Sequence, residues 1–388
     1  MSDAGFQQLS HQVVALGFVI AVVFGFVAQR SRFCTMGAIA DLVITGDRAR
    51  MRMWLAAAGT AVIGFNLMVW LGWLKAGDSI YAGPRILWLS ALAGGLMFGA
   101  GMVLASGCTS KNLLRAGTGN LKALVVLMVV ALAGFATLKG ITGVVRASVF
   151  DPVAVNVATQ QDLPTLASQA FGLSPRTAAA LLGAAIGLSF LGAALRPGAG
   201  HSGDHVFSGV AIGALIVAAW WNSGVLGFVA ESPESLEPVF VATSTHRMEA
   251  LSFVSAVSYA ADYLLFFSDA SKALTVGIVS AVGLAIGAWL HAMTSRSFRW
   301  EGFHTVSDLR NHLVGGTLMG IGGVTALGCT IGQGLSGIST LSVTSIIAVA
   351  SIVAGAAATV KLQMRAMLHD SGPSSSPRKP PTLVPSED

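Results

Sequence analysis

Seven long stretches of this chain carry no Lys, Arg, Asp or Glu: Met53–Leu74, Ile86–Ser110, Ala123–Leu138, Thr177–Leu195, His205–Ala230, Ala273–Ser295 and Asn311–Val360. About 20 apolar residues cross a bilayer as a helix, because hydrocarbon offers the backbone no partner and each peptide group must pair within its own segment. The last stretch is 50 residues long, so it must cross, turn and cross again. Val13–Ala28 is a further apolar segment near the start, which brings the expected total to nine spans. Only 11% of the 388 residues are charged, against roughly 25% in an ordinary soluble domain. So few charges cannot clothe a soluble body of this size. A soluble enzyme, a disordered chain and a secreted disulfide scaffold are excluded. The expected fold class is an all-α integral membrane protein with one transmembrane domain over 1–368. The Pro- and Ser-rich tail at 369–388 reads as disordered.

A net charge of +5 does not point to nucleic acid, because the basic residues are scattered between spans. There they orient the chain in the lipid bilayer. With the N-terminus outside, sixteen Lys and Arg fall on the cytoplasmic side and seven on the other: Lys75, Arg85, Lys139, Arg146, Arg176, Arg247 and Lys272. The positive-inside bias therefore predicts an external N-terminus and a cytoplasmic C-terminus. The first twelve residues hold Asp3 and no Lys or Arg, unlike the basic start of a cleaved signal peptide.

The two halves match at a constant offset of 221 residues. Gly94–Gly95 falls on Gly315–Gly316, Gly99 on Gly320, Gly101 on Gly322, and Gly107–Cys108–Thr109 on Gly328–Cys329–Thr330. The same offset lays Asp41 on Asp262 and Cys34 on Ser255. This is a duplication, with repeat 1 at about 12–140 and repeat 2 at about 206–360. Five crossings separate Cys108 from Cys329, and an odd number turns the second repeat upside down, as in many secondary transporters. In each repeat a short helix (Cys34–Thr45, then Glu249–Phe267) precedes two spans. A Gly-Cys-Thr turn, a glycine-rich stretch and a last span follow. Thr109–Gly119 and Thr330–Thr340 are expected to re-enter the membrane from opposite faces. Irregular backbone at that depth persists only where protein buries it or where it lines a polar path.

The three cysteines, Cys34, Cys108 and Cys329, all sit where an apolar stretch meets a polar or glycine-rich turn. A lone cysteine in a membrane helix is by default a small hydrophobe, but two of these three occupy equivalent repeat positions. An odd count argues against a structural disulfide. No pair is spaced as a zinc ligand set, so neither metal nor other cofactor is expected. A protonated thiol is a weak donor to a sulfur or oxygen anion, whereas a thiolate repels an anion or attacks a sulfane sulfur. Both re-entrant stretches begin at the threonine of a Cys-Thr pair, Thr109 and Thr330. Their free N–H groups would face the same site, so the expected cargo is a small anion. Asn112 and Gln333 each follow a cysteine by four positions and either donate to the cargo or cap the turn.

The remaining polar residues give weaker signals. Lys111 and Arg115 read as solvated positive-inside charges. Asp41 and Asp262 are costly if buried and call for a structural partner such as arginine. His246–Arg247–Met248–Glu249 reads as an outer salt-bridge cluster, and His201 with His205 lacks a third metal ligand. No GxxxxGK[ST] loop is present, so direct ATP use by this chain is not expected.

GFVAQRSRFCTMG (Gly25–Gly37), ASGCTSKNLLRAGTGNL (Ala105–Leu121) and ALGCTIGQGLSG (Ala326–Gly337) resemble the signature segments of the YeeE/YedE sulfur-transport family. The likeness runs over roughly residues 12–365. It implies a bacterial inner-membrane importer of thiosulfate, not an enzyme, with an hourglass of nine spans plus short re-entrant helices. The anion would pass from Cys329 to Cys108 to Cys34 by S–H···S hydrogen bonds. The implied partners are thiosulfate or a related small sulfur anion and a separate cytoplasmic TusA-like sulfur-carrier protein. Two other readings are open at this point: transport of another sulfur or selenium species, and a membrane sulfurtransferase holding a persulfide on Cys108.

Overall fold

The apolar windows become helices that start at polar caps and stop at glycines and turns. The computed structural model of the chain describes residues 3–196, 203–232, 237–269, 272–303 and 305–370. In order, the helices are α1 (Asp3–Arg30), α2 (Thr35–Ile44), α3 (Ala49–Trp70), α4 (Trp88–Leu104), α5 (Thr109–Gly117), α6 (Leu121–Lys139) and α7 (Ile141–Val145). They continue with α8 (Leu163–Phe171), α9 (Pro175–Leu195), α10 (Gly203–Trp221), α11 (Val254–Leu265), α12 (Val276–Thr294), α13 (Val306–Thr325) and α14 (Val343–Asp370). Side chains of Asn120, Ser174, Thr275 and Thr305 accept the first free N–H groups of α6, α9, α12 and α13, as N-caps do.

Among the described residues, eight segments are long and apolar enough to cross a membrane. The all-helical membrane class is therefore the observed one. The ninth expected span is α13. It is 20 residues long, but Asp308, Arg310 and His312 occupy its opening turns, so its composition alone does not mark it. Asp308 is neutralised there by Lys122 at 2.7 Å and faces His312 Nδ1 at 3.0 Å.

Contacts between loops sort the helix ends into two faces. On the first, Arg85–Ile86 pairs antiparallel with Val155–Asn156, Ser79 lies beside Met248, and Asp162 lies beside Ser342. On the second, Asn120 lies beside Glu301, and Leu121 N–H donates to the Glu301 carbonyl at 2.9 Å. The short helix expected over Glu249–Phe267 begins only at Val254. Met248 exchanges backbone hydrogen bonds with Asp78 and Ile80, and this ladder holds the preceding chain extended. His201 and residues 371–388 lie outside the described residues. α14 continues to Asp370, past the expected start of the tail.

A shift of 221 residues carries α2 onto α11, α3 onto α12, α4 onto α13 and α6 onto α14. At the centre, α4 and α13 touch backbone to backbone. A Cβ on Gly94 would lie 2.7 Å from the Gly322 carbonyl oxygen, and one on Gly101 would lie 2.7 Å from that of Gly315. The two helices therefore run antiparallel. Exchanging each glycine for its repeat equivalent leaves the contact set unchanged, since Gly94 corresponds to Gly315 and Gly101 to Gly322. On their other sides α4 packs against α14 and α13 against α6. Such close approach is available only to residues without side chains.

Candidate functional site

α4 and α13 end identically. Gly107 N–H reaches back to the Met102 carbonyl and Gly328 N–H to that of Gly323, both at 2.8 Å. This six-residue closure needs a left-handed residue one step earlier, usually glycine. Here the positions are Ser106 and Leu327, with φ of +55° and +58°. Each costs about 1–2 kcal/mol relative to a right-handed backbone, so matching strain is stored two residues before each thiol. The amide nitrogen of Asn112 donates to the carbonyls of Gly107 (2.9 Å) and Cys108 (3.2 Å), and that of Gln333 to the carbonyl of Ala326. Both amides therefore cap their turns; both N–H donors of Asn112 are used, and one of the two on Gln333. Asn112 Oδ1 and Gln333 Oε1 remain buried without a partner.

Each cysteine opens a short helix or helical turn. Cys34 caps α2, its Sγ accepting from Gly37 N–H at 3.3 Å. Cys108 precedes α5, its Sγ 3.2 Å from Ser110 Oγ. Cys329 precedes the wide π-helical turn Gly332–Gly337, and its Sγ accepts from Gly332 N–H (3.4 Å) and Phe253 N–H (3.5 Å). All three are free thiols, with Cys108 2% and Cys329 0% exposed. Cys108 is an electrostatic neighbour of both Cys34 and Cys329. Lys111, expected to be solvated, is half-buried and acts on both Cys34 and Cys108, with Arg50 also near Cys34.

Around Cys329 lie hydroxyls that sequence reasoning missed. A Cβ on Gly332 would meet Ser252 Oγ at 2.5 Å and the Tyr81 hydroxyl at 3.3 Å; the two hydroxyls are neighbours of one another, and neither bonds to any other group among the described residues. Burial pushes the Tyr81 phenol well above its ordinary value, which leaves it a neutral donor. The hydroxyls of Thr109 and Thr330 are likewise buried and unpartnered. Buried polar atoms are nearly always satisfied, so this concentration beside the thiols marks a place built for a polar guest. A signal for Ser252 existed: the 221-residue offset lays it on Ser31, three residues ahead of Cys34. Tyr81 has no such counterpart.

A cavity of about 120 Å³ on the first face is lined by Arg146, Ser244, Glu249, Ser252, Ser255 and Gly328, among others. It adjoins the Cys329 turn. Ser255, the counterpart of Cys34, therefore stands on its wall. Next to it a wider cavity of about 450 Å³ contains Lys139, Lys272 and Asp262. Asp41 has the expected arginine, Arg50 at 3.4 Å, but Asp262 is held by two lysines, Lys139 at 3.1 Å and Lys272 at 2.7 Å. Burial pushes the Asp262 carboxyl up, and the two ammonium groups outweigh it and hold it below its usual range. The expected salt bridge within His246–Glu249 does not form. Arg247 reaches the Gly77 carbonyl at 2.8 Å instead, and the Glu249 carboxylate accepts from Ser244 N–H at 3.2 Å.

A family model described as sulphur transport matches residues 30–358, which take in all three cysteines. The chain belongs to the sulphur transport family. This family member is similar to the thiosulfate transporter TsuA of Escherichia coli (strain K12), with 26% identity over 341 residues, 83% of this chain and 87% of that protein. It is also similar to the thiosulfate transporter TsuA of Spirochaeta thermophila, with 26% identity over 341 residues, 85% of this chain and 92% of the relative. A shorter match, 32% over 108 residues, is to the probable transporter YedE of Escherichia coli and covers 27% of this chain. The chain is thus a multi-pass membrane member of a sulfur-transporter family.

Proposed function

We propose that this protein imports thiosulfate, handing the anion from Cys329 to Cys108 to Cys34 without covalent chemistry. The observation that carries the reading is the matching placement of two buried thiols, Cys108 and Cys329, at the identically closed turns that end α4 and α13. Thiosulfate has a terminal sulfur and three oxygens around a central sulfur. Protonated thiols suit the soft terminal sulfur, and the hydroxyls of Tyr81, Ser252 and Thr330 suit the oxygens. Weak sites in series favour passage, because one tight site would trap the ion.

In this reading the first face is periplasmic, since it carries the seven-residue minority of Lys and Arg. Entry is then at Cys329 and exit at Cys34, where Lys111 and Arg50 offset the charge of the arriving anion. The repeats are inverted about an axis in the membrane plane, a reading supported by the antiparallel and exchange-symmetric crossing of α4 and α13. Residues 1–368 form one domain, and a TusA-like sulfur carrier receives the cargo in the cytoplasm. Cys108→Ala is expected to abolish thiosulfate uptake while the protein remains in the membrane. Wild-type uptake by that variant refutes the relay. A stable one-sulfur mass increase on Cys108 after thiosulfate exposure would support a sulfurtransferase instead.

A further inference from the structure

Glu249 stands on the wall of the cavity that adjoins Cys329, where the proposed path would bring a dianion past it. A carboxylate there repels the cargo unless a cation or a proton neutralises it. Among the described residues no Lys or Arg pairs with its carboxylate, and the nearby cations make their contacts elsewhere. Arg146, on the same wall, pairs with Asp151 at 3.4 Å. Lys139 and Lys272 share Asp262. Arg247, two residues away, binds the Gly77 carbonyl. The other titratable groups facing it, Tyr81 and Tyr259, are neutral phenols, and Glu249 acts electrostatically on both. Among the described residues, the one hydrogen bond to its carboxylate comes from Ser244 N–H.

We propose that Glu249 is a proton-binding residue of the anion site, so that the cavity takes up thiosulfate together with a proton on this side chain. The inference rests on the thiosulfate reading above. The neutral carboxyl removes the repulsion and supplies an O–H donor to a sulfonate oxygen in the cavity that Ser252 and Gly328 also line. Consistent with this geometry, burial pushes the Glu249 carboxyl up to about 7. A group titrating there is about nine-tenths protonated at pH 6 and about one-tenth at pH 8. Binding linkage is reciprocal, so the anion must in turn hold the proton on Glu249 more tightly. Thiosulfate itself does not titrate in this range, and its own protonation cannot mimic the effect.

The test uses the full chain, purified and reconstituted in vesicles, with labelled thiosulfate as the probe. For the wild type, KM is expected to rise about tenfold from pH 6 to pH 8. Calorimetry in buffers of different ionisation enthalpy is expected to show close to one proton taken up per anion bound at pH 8. Glu249→Gln is expected to hold KM flat and take up no proton. A flat wild-type KM overturns the inference. So does a slope that survives in E249Q, which would assign the titration to another group. If E249Q fails to reach the membrane, the wild-type proton count decides alone. No uptake at any pH overturns the thiosulfate reading and this inference with it, whereas uptake without a pH slope overturns only the latter.

Discussion

The α4–α13 crossing gives a quantitative test of the architecture through Gly322→Ala. A Cβ added there would lie 2.6 Å from both the Gly94 carbonyl oxygen and the Phe98 nitrogen. Both are backbone atoms of α4, so no side chain can rotate away. Ordinary contact begins near 3.4 Å, and the helices must part by roughly 0.8 Å, an overpacking that costs about 1–3 kcal/mol. Alanine also gains about 1 kcal/mol of helix propensity over glycine. Gly192→Ala supplies the reference, because Gly192 lies in α9 with nothing within 4 Å of an added Cβ. The difference in unfolding free energy between the two variants therefore isolates packing, and G322A is expected to be the less stable by about 1–3 kcal/mol. Gly101→Ala, the exchange-related position, meets the Gly315 oxygen at 2.7 Å and the Met319 nitrogen at 2.9 Å and is expected to lose a similar amount. The assay is thermal or denaturant unfolding in one detergent, with thiosulfate uptake in vesicles alongside. Uptake is expected to fall with stability, because α4 leads to Cys108 and α13 to Cys329. If G322A proves as stable as G192A, the backbone contact is wrong.

Other expected outcomes are equally direct. Tyr81→Phe removes a hydroxyl whose one polar neighbour is the Ser252 hydroxyl, so stability is expected to change little in a thermal melt. KM for thiosulfate is expected to rise about tenfold or more, because a hydrogen bond to a charged group contributes about 1.5–3 kcal/mol. An unchanged KM would remove Tyr81 from the site. Asp262→Asn leaves Lys139 and Lys272 facing each other without their shared carboxylate. It is expected to destabilise the protein below neutral pH as well as above it, because the native carboxyl stays ionised well into the acid range. Unfolding at pH 5 and pH 8 checks this, and a loss confined to pH 8 would contradict it.

Much of the site could be read from the chain before its structure. Spans announce themselves through missing charge, and duplication through spacing, because both are one-dimensional properties. The three thiols stood out for the same reason. α13 was harder to recognise by hydropathy, since Asp308 and Arg310 belong to its opening turns and their neutralising partner Lys122 comes from a distant part of the chain. The amides of Asn112 and Gln333 could be placed near the thiols from spacing, but only the closed turns reveal that their nitrogens are committed. Tyr81 and Ser252 come together at Gly332 through tertiary packing between three loops, for which no local pattern exists. Glu249 reads from sequence as part of an ion pair with its neighbours, but its carboxylate takes a backbone N–H from Ser244 and Arg247 turns to the Gly77 carbonyl.

The seam where peptide groups of α4 and α13 meet has a mechanical consequence. Interlocked main chains cannot glide past one another as side-chain ridges can, so the waist of the molecule acts as a fixed frame. In the proposed relay, motion during each crossing is then expected of the sulfhydryls, hydroxyls and short helices mounted on that frame, and not of one half swinging against the other.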